Sequence, residues 1–494
     1  MPQRCLAHRR NERLGVSKFS TQQWSALIIV ALGFALRLVN LGGFSFWFDE
    51  VGQVLVGRAD TLAGVLDIAA AHYGATPLDY LITWVGVRML GESEFGLRFI
   101  SLVWSVASIA LVYGSGERLQ RSVGVWAALL VATSPLAVRY AQEVRFYSLA
   151  LMLSAATLWL ALRAPQRIWA LTLSMALGLY AHAYTALIWP FAGWAVICRA
   201  HRAARLRVGL RFAMAAVLAS ALFGPWLFGE LLGEQVPPLP DAAGLNAETL
   251  RRVMAGWEWP NPAPVAARNT VSQPLPYLIA GLHIGAAILA LRWPRRSALW
   301  LGALGVYVAA TLLVVLNDMR VGYFFAPRQV LNLLVLRALF GGWVLWHVQL
   351  ALCRFGRAAG PTLAVAFLLF AAPSLAAYYA NYRDKSNAAQ VARVLIAFAP
   401  DEFWIAPAYD QLTVDYYLER EGVAAPAWRA FDATSEQPLF TQGAGRVAVV
   451  LQAGQARPET LRRLEQAGFV MVWPDHYPTG NEHFIALGRP APRR

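Results

Sequence analysis

The sequence predicts an α-helical polytopic membrane protein of about eleven transmembrane helices, with a small soluble α/β domain at its C-terminal end. Three observations carry this reading. Long apolar runs with few charges recur between residues 24 and 379, and only 15% of the 494 residues are charged, against about 25% in soluble domains. Basic residues gather in the short stretches between runs, as they do in cytoplasmic loops. Hydropathy then falls at Asn381–Asn387, and a pattern of short strands and helices follows.

The first run, Trp24–Leu41, follows Arg9, Arg10, Arg13 and Lys18, which places the N-terminus in the cytoplasm. A signal peptide also begins with positive charge, but this run is long for one. Val39-Asn40-Leu41-Gly42-Gly43 is a poor cleavage site, so the run reads as an uncleaved anchor. Further runs are Phe95–Tyr113, Val123–Tyr140, Tyr147–Leu162, Ile168–Tyr180 and Tyr184–Cys198. Phe212–Phe228, Leu275–Leu291, Ala298–Leu316, Val330–Leu350 and Leu363–Tyr379 complete the set. With this count the basic stretches Arg118/Arg121, Arg163/Arg167, Arg199–Arg211, Arg292–Arg296 and Arg354–Arg357 all fall on the cytoplasmic side. Pro77–Leu90 is apolar but short for a span. Counting it as a crossing would move the later basic loops outside, so it reads as a helix in the outer interface. Leu62–Ala71 is a second interfacial candidate.

Residues 1–380 thus form the membrane domain, with an outer loop at 42–94, and 381–494 form a domain outside the cytoplasm. In that domain Ala388–Phe398 and Pro458–Gln466 are helical in pattern, and Phe403–Ala406, Arg446–Leu451 and Phe469–Trp473 read as buried strands. Cys5, Cys198 and Cys353 all map to the cytoplasmic side, so no external disulfide is expected. The net charge of +14 lies in the loops between spans, which argues against a nucleic-acid partner. An Ala-, Arg- and Trp-rich composition suggests a GC-rich bacterial genome, and the outer side is then the periplasm.

The residues with chemistry lie at the expected outer face. Asp49 and Glu50, in Phe46-Trp47-Phe48-Asp49-Glu50, are either solvated loop carboxylates or acids in an interfacial cavity. In a cavity, partial desolvation would suit one of them to general-base work. Glu143 and Arg145, between the third and fourth spans, either pair with each other or serve a substrate. Arg320 and Arg328 flank Tyr323. They either snorkel to headgroups or grip a phosphate. His72 and His182 fall on the same side, and Trp257 and Trp259 are either interfacial anchors or a sugar platform. No GxxxxGK[ST] loop is present, so nucleotide hydrolysis is not the evident energy source.

These residues occur in an order that resembles the GT-C class of polyprenyl-phosphate-dependent glycosyltransferases. The branch is that of the protein O-mannosyltransferases and the lipid A aminoarabinose transferase. The pieces are Phe48-Asp49-Glu50, His72 with Pro77-Leu78-Asp79-Tyr80, and Gly91-Glu92-Ser93-Glu94-Phe95-Gly96-Leu97-Arg98. Ser134-Pro135, Tyr140–Tyr147, Gly178-Leu179-Tyr180-Ala181-His182 and Tyr323–Arg328 follow. The resemblance covers residues 24–190, and more loosely extends to 380. It implies a GT-C-like fold and a donor sugar carried on polyprenyl phosphate. The acceptor would be an extracytoplasmic lipid (lipopolysaccharide included), glycan or protein, and transfer would invert the anomeric carbon. It makes Asp49 the base, Glu50 its support, and Glu143 an acceptor-orienting or assisting acid. Arg328 would neutralise the leaving phosphate, with Arg320, Arg98 and Arg145 as further phosphate candidates. Tyr80, His72, His182, Tyr323, Trp257 and Trp259 would line the substrates. Where some relatives carry a basic residue beside the interfacial helix, this chain has His72 and Asp79. No dedicated metal-ligand set is visible, although Asp49, Glu50 and Glu143 are suited to sharing a divalent cation.

Two other classes of function compete. A flippase for lipid-linked sugars would show internal repeats and broken helices at midplane, and no clear repeat is found. An envelope scaffold would make the carboxylates incidental.

Overall fold

The structure, a computed structural model, describes residues 20–71, 76–231, parts of 281–290, 294–321, 327–356, 358–380, 386–431, 445–472 and 482–488. Without water to bond its backbone, an apolar run must satisfy its amides internally, and helices are the means. The first helix, α1 (Thr21–Leu38), opens on a capping box in which the Ser20 hydroxyl accepts from Gln23 N–H and the Gln23 side chain returns to Ser20 N–H. Short helices α2 (Phe48–Gly57), α3 (Leu62–Ala71) and α4 (Pro77–Leu90) follow. The latter two coincide with the expected interfacial segments, and Pro77 at the start of α4 is the position where a missing N–H costs nothing. The long α5 (Glu94–Leu119) comes next, capped by Ser93.

The run expected as one span at Val123–Tyr140 is two helices, α6 (Val123–Ala132) and α7 (Pro135–Ala141), bent by 59°. Pro135 has no N–H to continue the ladder, and Ser134 starts a new helix by accepting from Ala137 N–H. Helices α8 (Tyr147–Arg163), α9 (Ile168–Ala181), α10 (Trp189–Arg199), α11 (Arg205–Trp226), α12 (Pro294–Val321), α13 (Leu334–Leu352) and α14 (Ala359–Ala380) continue the bundle. A 3-10 turn at Ala183–Ile188 leads into α10, and another at Pro327–Leu333 leads into α13. Helices α6 and α13 approach closely at Gly342, where a Cβ would lie 2.7 Å from Ala127 N and 2.9 Å from Val123 O. Such small-residue approaches are how membrane helices gain dispersion energy without a hydrophobic drive.

Six described helices are long and apolar enough to cross a membrane, within 21–38, 94–119, 202–229, 297–320, 328–352 and 359–376. The bent α6/α7 pair makes a seventh if it is one span. The expected count of eleven is therefore larger than these lengths support. Helices α8 and α9 have 17 and 14 residues, and the run at 275–291 lies largely outside the described residues.

After the bundle, α15 (Ala388–Phe398), α16 (Gln411–Arg420) and α17 (Pro458–Gln466) accompany a five-stranded sheet. Its strands are β1 (Glu402–Ala406), β2 (Trp428–Ala430), β3 (Val447–Gln452), β4 (Phe469–Val472) and β5 (His483–Gly488), in the order β2-β1-β3-β5-β4. The pairs β1–β2 and β1–β3 are parallel, and β3–β5 and β5–β4 are antiparallel. The central β3 is buried along five of its six residues, as a strand covered on both faces should be. This unit packs on the segment after α1. Phe46, Val51, Val54, Leu97 and Val144 share one apolar core with Ala388, Val391, Leu395, Ile405, Val414 and Tyr417.

Candidate active site

Phe48 begins α2, so Asp49 and Glu50 occupy its first turn, where backbone N–H groups favour acids. Glu50 is fully buried. Its Oε1 accepts from Arg98 Nε at 2.9 Å and from Val144 N–H at 2.9 Å, and its Oε2 accepts from Arg98 Nη2 at 2.7 Å and Trp47 N–H at 3.3 Å. The other Arg98 donors go to Leu41, Phe44 and Ser45 carbonyls at 3.3, 2.9 and 3.0 Å. All five guanidinium N–H groups are thus occupied. Arg98, expected among the phosphate ligands, is instead the residue that folds the 41–50 loop. A phosphate would have to displace a buried carboxylate to reach it.

Through Val144 N–H the same Glu50 ties this loop to the turn at 142–146. That brings Asp49 beside Arg145, with Oδ2 and Nη2 3.8 Å apart, a charge pairing too long for a hydrogen bond. The local alternative, Glu143 with Arg145, is not what forms. Glu143 pairs with Arg139 one helical turn back, Oε1 to Nε 3.2 Å. Its second oxygen is buried with no hydrogen-bond partner. Burial pulls the Arg145 guanidinium toward neutrality, but Asp49, Tyr147 and Tyr80 outweigh it and raise its pKa overall. Arg145 Nε has no partner either, and its guanidinium stands 5.3 Å over the Phe146 ring. Arg328 lies close enough to act on Arg145 electrostatically.

Tyr80, on α4, is hydrogen-bonded to Arg145 and lies within electrostatic reach of Asp49. Beside it Asp79 is buried, accepting from Gln53 Nε2 at 2.8 Å. Desolvation pushes Asp79 up to about 7, with Arg145 opposing. His182 stacks on Phe146 at 4.6 Å and 15°, and its Nδ1 accepts from Tyr184 N–H at 3.3 Å. Burial, helped by Arg145, lowers its pKa to about 4, so the ring is neutral and acts as a cap and stacking partner. Arg320 is an exposed residue at the end of α12, and among the described residues it makes no ion pair to this cluster. His72, Tyr323, Trp257 and Trp259 lie outside the described residues.

The structure therefore gathers Asp49, Glu143, Arg145, Tyr80, His182 and Arg328 around one turn, with Glu50 and Arg98 as its internal brace. Among the described residues no three His, Cys, Asp or Glu gather as a metal site, and both Glu50 oxygens are engaged by hydrogen bonds. Sequence reasoning missed Arg139, Gln53 and Gln142. The Gln142 amide donates to Arg37 and Val39 carbonyls at 2.9 and 2.8 Å and accepts from Tyr378 at 2.5 Å. The i,i+4 spacing of Arg139 and Glu143 was a visible signal. The other two carried none.

Residues 75–228 match the family described as dolichyl-phosphate-mannose-protein mannosyltransferase. No curated protein sequence matches. Among solved structures, ArnT from Cupriavidus metallidurans in the apo state is similar at a TM-score of 0.54 and 14% identity, covering 95% of this chain and 98% of that one. The same protein bound to undecaprenyl phosphate gives a TM-score of 0.55 and 12% identity, with the same coverage. At these identities the likeness speaks to fold. The chain is a multi-pass membrane protein with the GT-C glycosyltransferase fold, and its residues 75–228 match the mannosyltransferase family.

Proposed function

We propose that the protein is a membrane glycosyltransferase that moves a sugar from a polyprenyl-phosphate donor to an extracytoplasmic acceptor, with inversion. The observation that carries the reading is the meeting of Asp49 with Arg145, 3.8 Å apart, in a turn that Arg328 also reaches electrostatically. A displacement at the anomeric carbon needs a base for the incoming hydroxyl and a cation for the outgoing phosphate. Asp49, part exposed, is the carboxylate open to a substrate, whereas Glu50 is sealed. The acceptor oxygen bonds to the anomeric carbon, its proton passes to Asp49, and the bond from that carbon to the phosphate oxygen breaks. Arg145 and Arg328 take up the charge that the polyprenyl phosphate gains. Glu143, with one oxygen unpartnered in a buried position, holds the acceptor hydroxyl or a neighbouring one. Support for the lipid donor comes from the family matched at 75–228 and from the undecaprenyl phosphate bound by the structurally similar ArnT.

The same reading places the chain in a bacterial inner membrane, with the N-terminus cytoplasmic and residues 381–494 a periplasmic domain. If a divalent cation takes part, Asp49 and Glu143 are the carboxylates with capacity for it. Arg320, exposed and outside the cluster, reaches headgroup phosphates rather than the reacting one.

The test is a transfer assay with the purified protein in lipid. It uses a panel of labelled polyprenyl-phosphate sugars, envelope extracts as acceptors, and Asp49→Asn as control. Label moved by the wild type and not by the variant is expected. Transfer undiminished in Asp49→Asn would overturn the role of the base, and bilayer translocation of lipid-linked sugar without transfer would overturn the reaction.

A further inference from the structure

Asp49 has an unusual neighbour that does not come from the membrane bundle. Tyr409, in the 3-10 turn Ala408–Asp410 of the C-terminal unit, packs edge-on against Phe48 with ring centroids 5.2 Å apart. It is close enough to Asp49 to feel its charge. Tyr409 is 55% exposed, and among the described residues it is the one exposed tyrosine. Its backbone is nevertheless firmly held. The next residue, Asp410, is buried and meets His483 Nε2 at 3.1 Å, and His483 in turn exchanges hydrogen bonds with Asn387. The ring is thus held in place, more than half exposed, next to a part-exposed carboxylate. A ring of this kind gives binding area at low conformational entropy.

We propose that Tyr409, braced by Phe48, is an acceptor-binding residue whose ring stacks on a saccharide unit of the acceptor, so that a hydroxyl of that saccharide faces Asp49. The proposal rests on the glycosyltransferase reading and deepens it. The C–H face of a pyranose is apolar and matches an aromatic face, while its hydroxyls project at the rim toward the carboxylate. The C-terminal unit then supplies part of the site rather than only covering it, and the acceptor is a glycolipid or glycan rather than a bare protein segment.

The test has two arms on the full chain in lipid discs. In the first, transfer is measured for wild type, Tyr409→Ala, Tyr409→Phe and Tyr409→Trp at varied acceptor and fixed donor. Tyr409→Ala is expected to raise the acceptor KM about five- to tenfold, with the donor KM and kcat little changed, and Phe or Trp to restore it. An unchanged acceptor KM, or a loss confined to kcat, would overturn the proposal. The second arm needs no donor. Binding of cellobiose, as a plain pyranose disaccharide, and of a threonine-containing peptide is followed by saturation-transfer NMR. A disaccharide signal that is present in wild type and vanishes in Tyr409→Ala supports the proposal even if no transfer is seen with any donor, an outcome that would count against the reaction alone. Binding of the peptide and not the disaccharide, or disaccharide binding indifferent to Tyr409, would overturn it.

Discussion

Glu50 and Arg98 form a buried ion pair, 2.7 Å between Oε2 and Nη2, that joins the loop bearing the candidate base to the first turns of α5. Taking two charges out of water is costly, and the pair repays it only because carbonyls and amides complete both coordination shells. Removing one partner leaves the other buried and unpaired. Glu50→Ala is expected to lower stability by about 3–5 kcal/mol, read as the unfolding midpoint of purified protein. Glu50→Leu combined with Arg98→Met should recover only the part of the loss due to the unpaired charge, because the Leu41, Phe44 and Ser45 carbonyls and the Trp47 and Val144 amides lose their partners, and little of the transfer activity. Recovery of both would mean that the pair positions nothing.

Asp49 sits one residue away with a different fate. It is part exposed, so Asp49→Asn should leave the unfolding free energy within about 0.5 kcal/mol of wild type. Transfer should fall about 10²–10⁴-fold, the usual worth of a general base. Unfolding curves and single-turnover rates on the same preparation decide this. A large stability loss would instead make Asp49 structural.

Asp79 makes a pH prediction. Burial raises its pKa from 3.8 to about 7. The folded state therefore keeps this proton across a range where the unfolded chain has released it. Stability should fall as pH rises from about 4 to about 7 and level off above, where both states are ionised. Asp79→Asn preserves an acceptor for Gln53 Nε2 and removes the slope. At pH 8 this variant should unfold at a higher temperature than wild type, with the two curves converging at about pH 4.

Tyr417 fastens the C-terminal unit to the site. Its hydroxyl accepts from Phe46 N–H at 2.5 Å and donates to Glu94 Oε1 at 2.7 Å, where Arg420 also binds at 2.7 Å. Tyr417→Phe should cost about 1–3 kcal/mol by leaving the Phe46 amide unsatisfied. It should lower kcat more than donor affinity, because the Asp49 loop loosens while the phosphate-facing residues stay. Donor KM rising with kcat unchanged would contradict this.

The sequence exposed the parts that obey a period. Pro77–Leu90, Leu62–Ala71, Ala388–Phe398 and Pro458–Gln466 are helices at the expected bounds, because proline starts and apolar faces mark them locally. Hydropathy averages over the Ser134–Pro135 break, since the residues on either side are equally apolar. Helix α16, polar on much of its surface, gave no periodic signal, and β5 runs apolar without the alternation that marks a strand locally. For the site, Asp49, Glu143 and Arg145 were legible as charges where charge is expensive. Their pairings were not. Glu50 and Arg98 are 48 residues apart, and only the folded loop decides that Arg98 serves a carboxylate instead of a phosphate.

The α6/α7 break bears on how the protein is made. Arg37, fully buried in α1, donates to the Val131 and Ala132 carbonyls that end α6, at 3.0 and 2.9 Å, and to Gly33 O and Ser105 Oγ. Those two carbonyls lie 94 and 95 residues further along the chain. During synthesis the first helix must enter the bilayer carrying a guanidinium for which, of these acceptors, only the Gly33 carbonyl already exists. A nascent chain stopped before the last turn of α6 lacks the Val131 and Ala132 acceptors, and one extended past it has them. Biogenesis thus has a commitment point, the emergence of the end of α6, before which α1 is a provisional tenant of the membrane and after which it is locked to its neighbours.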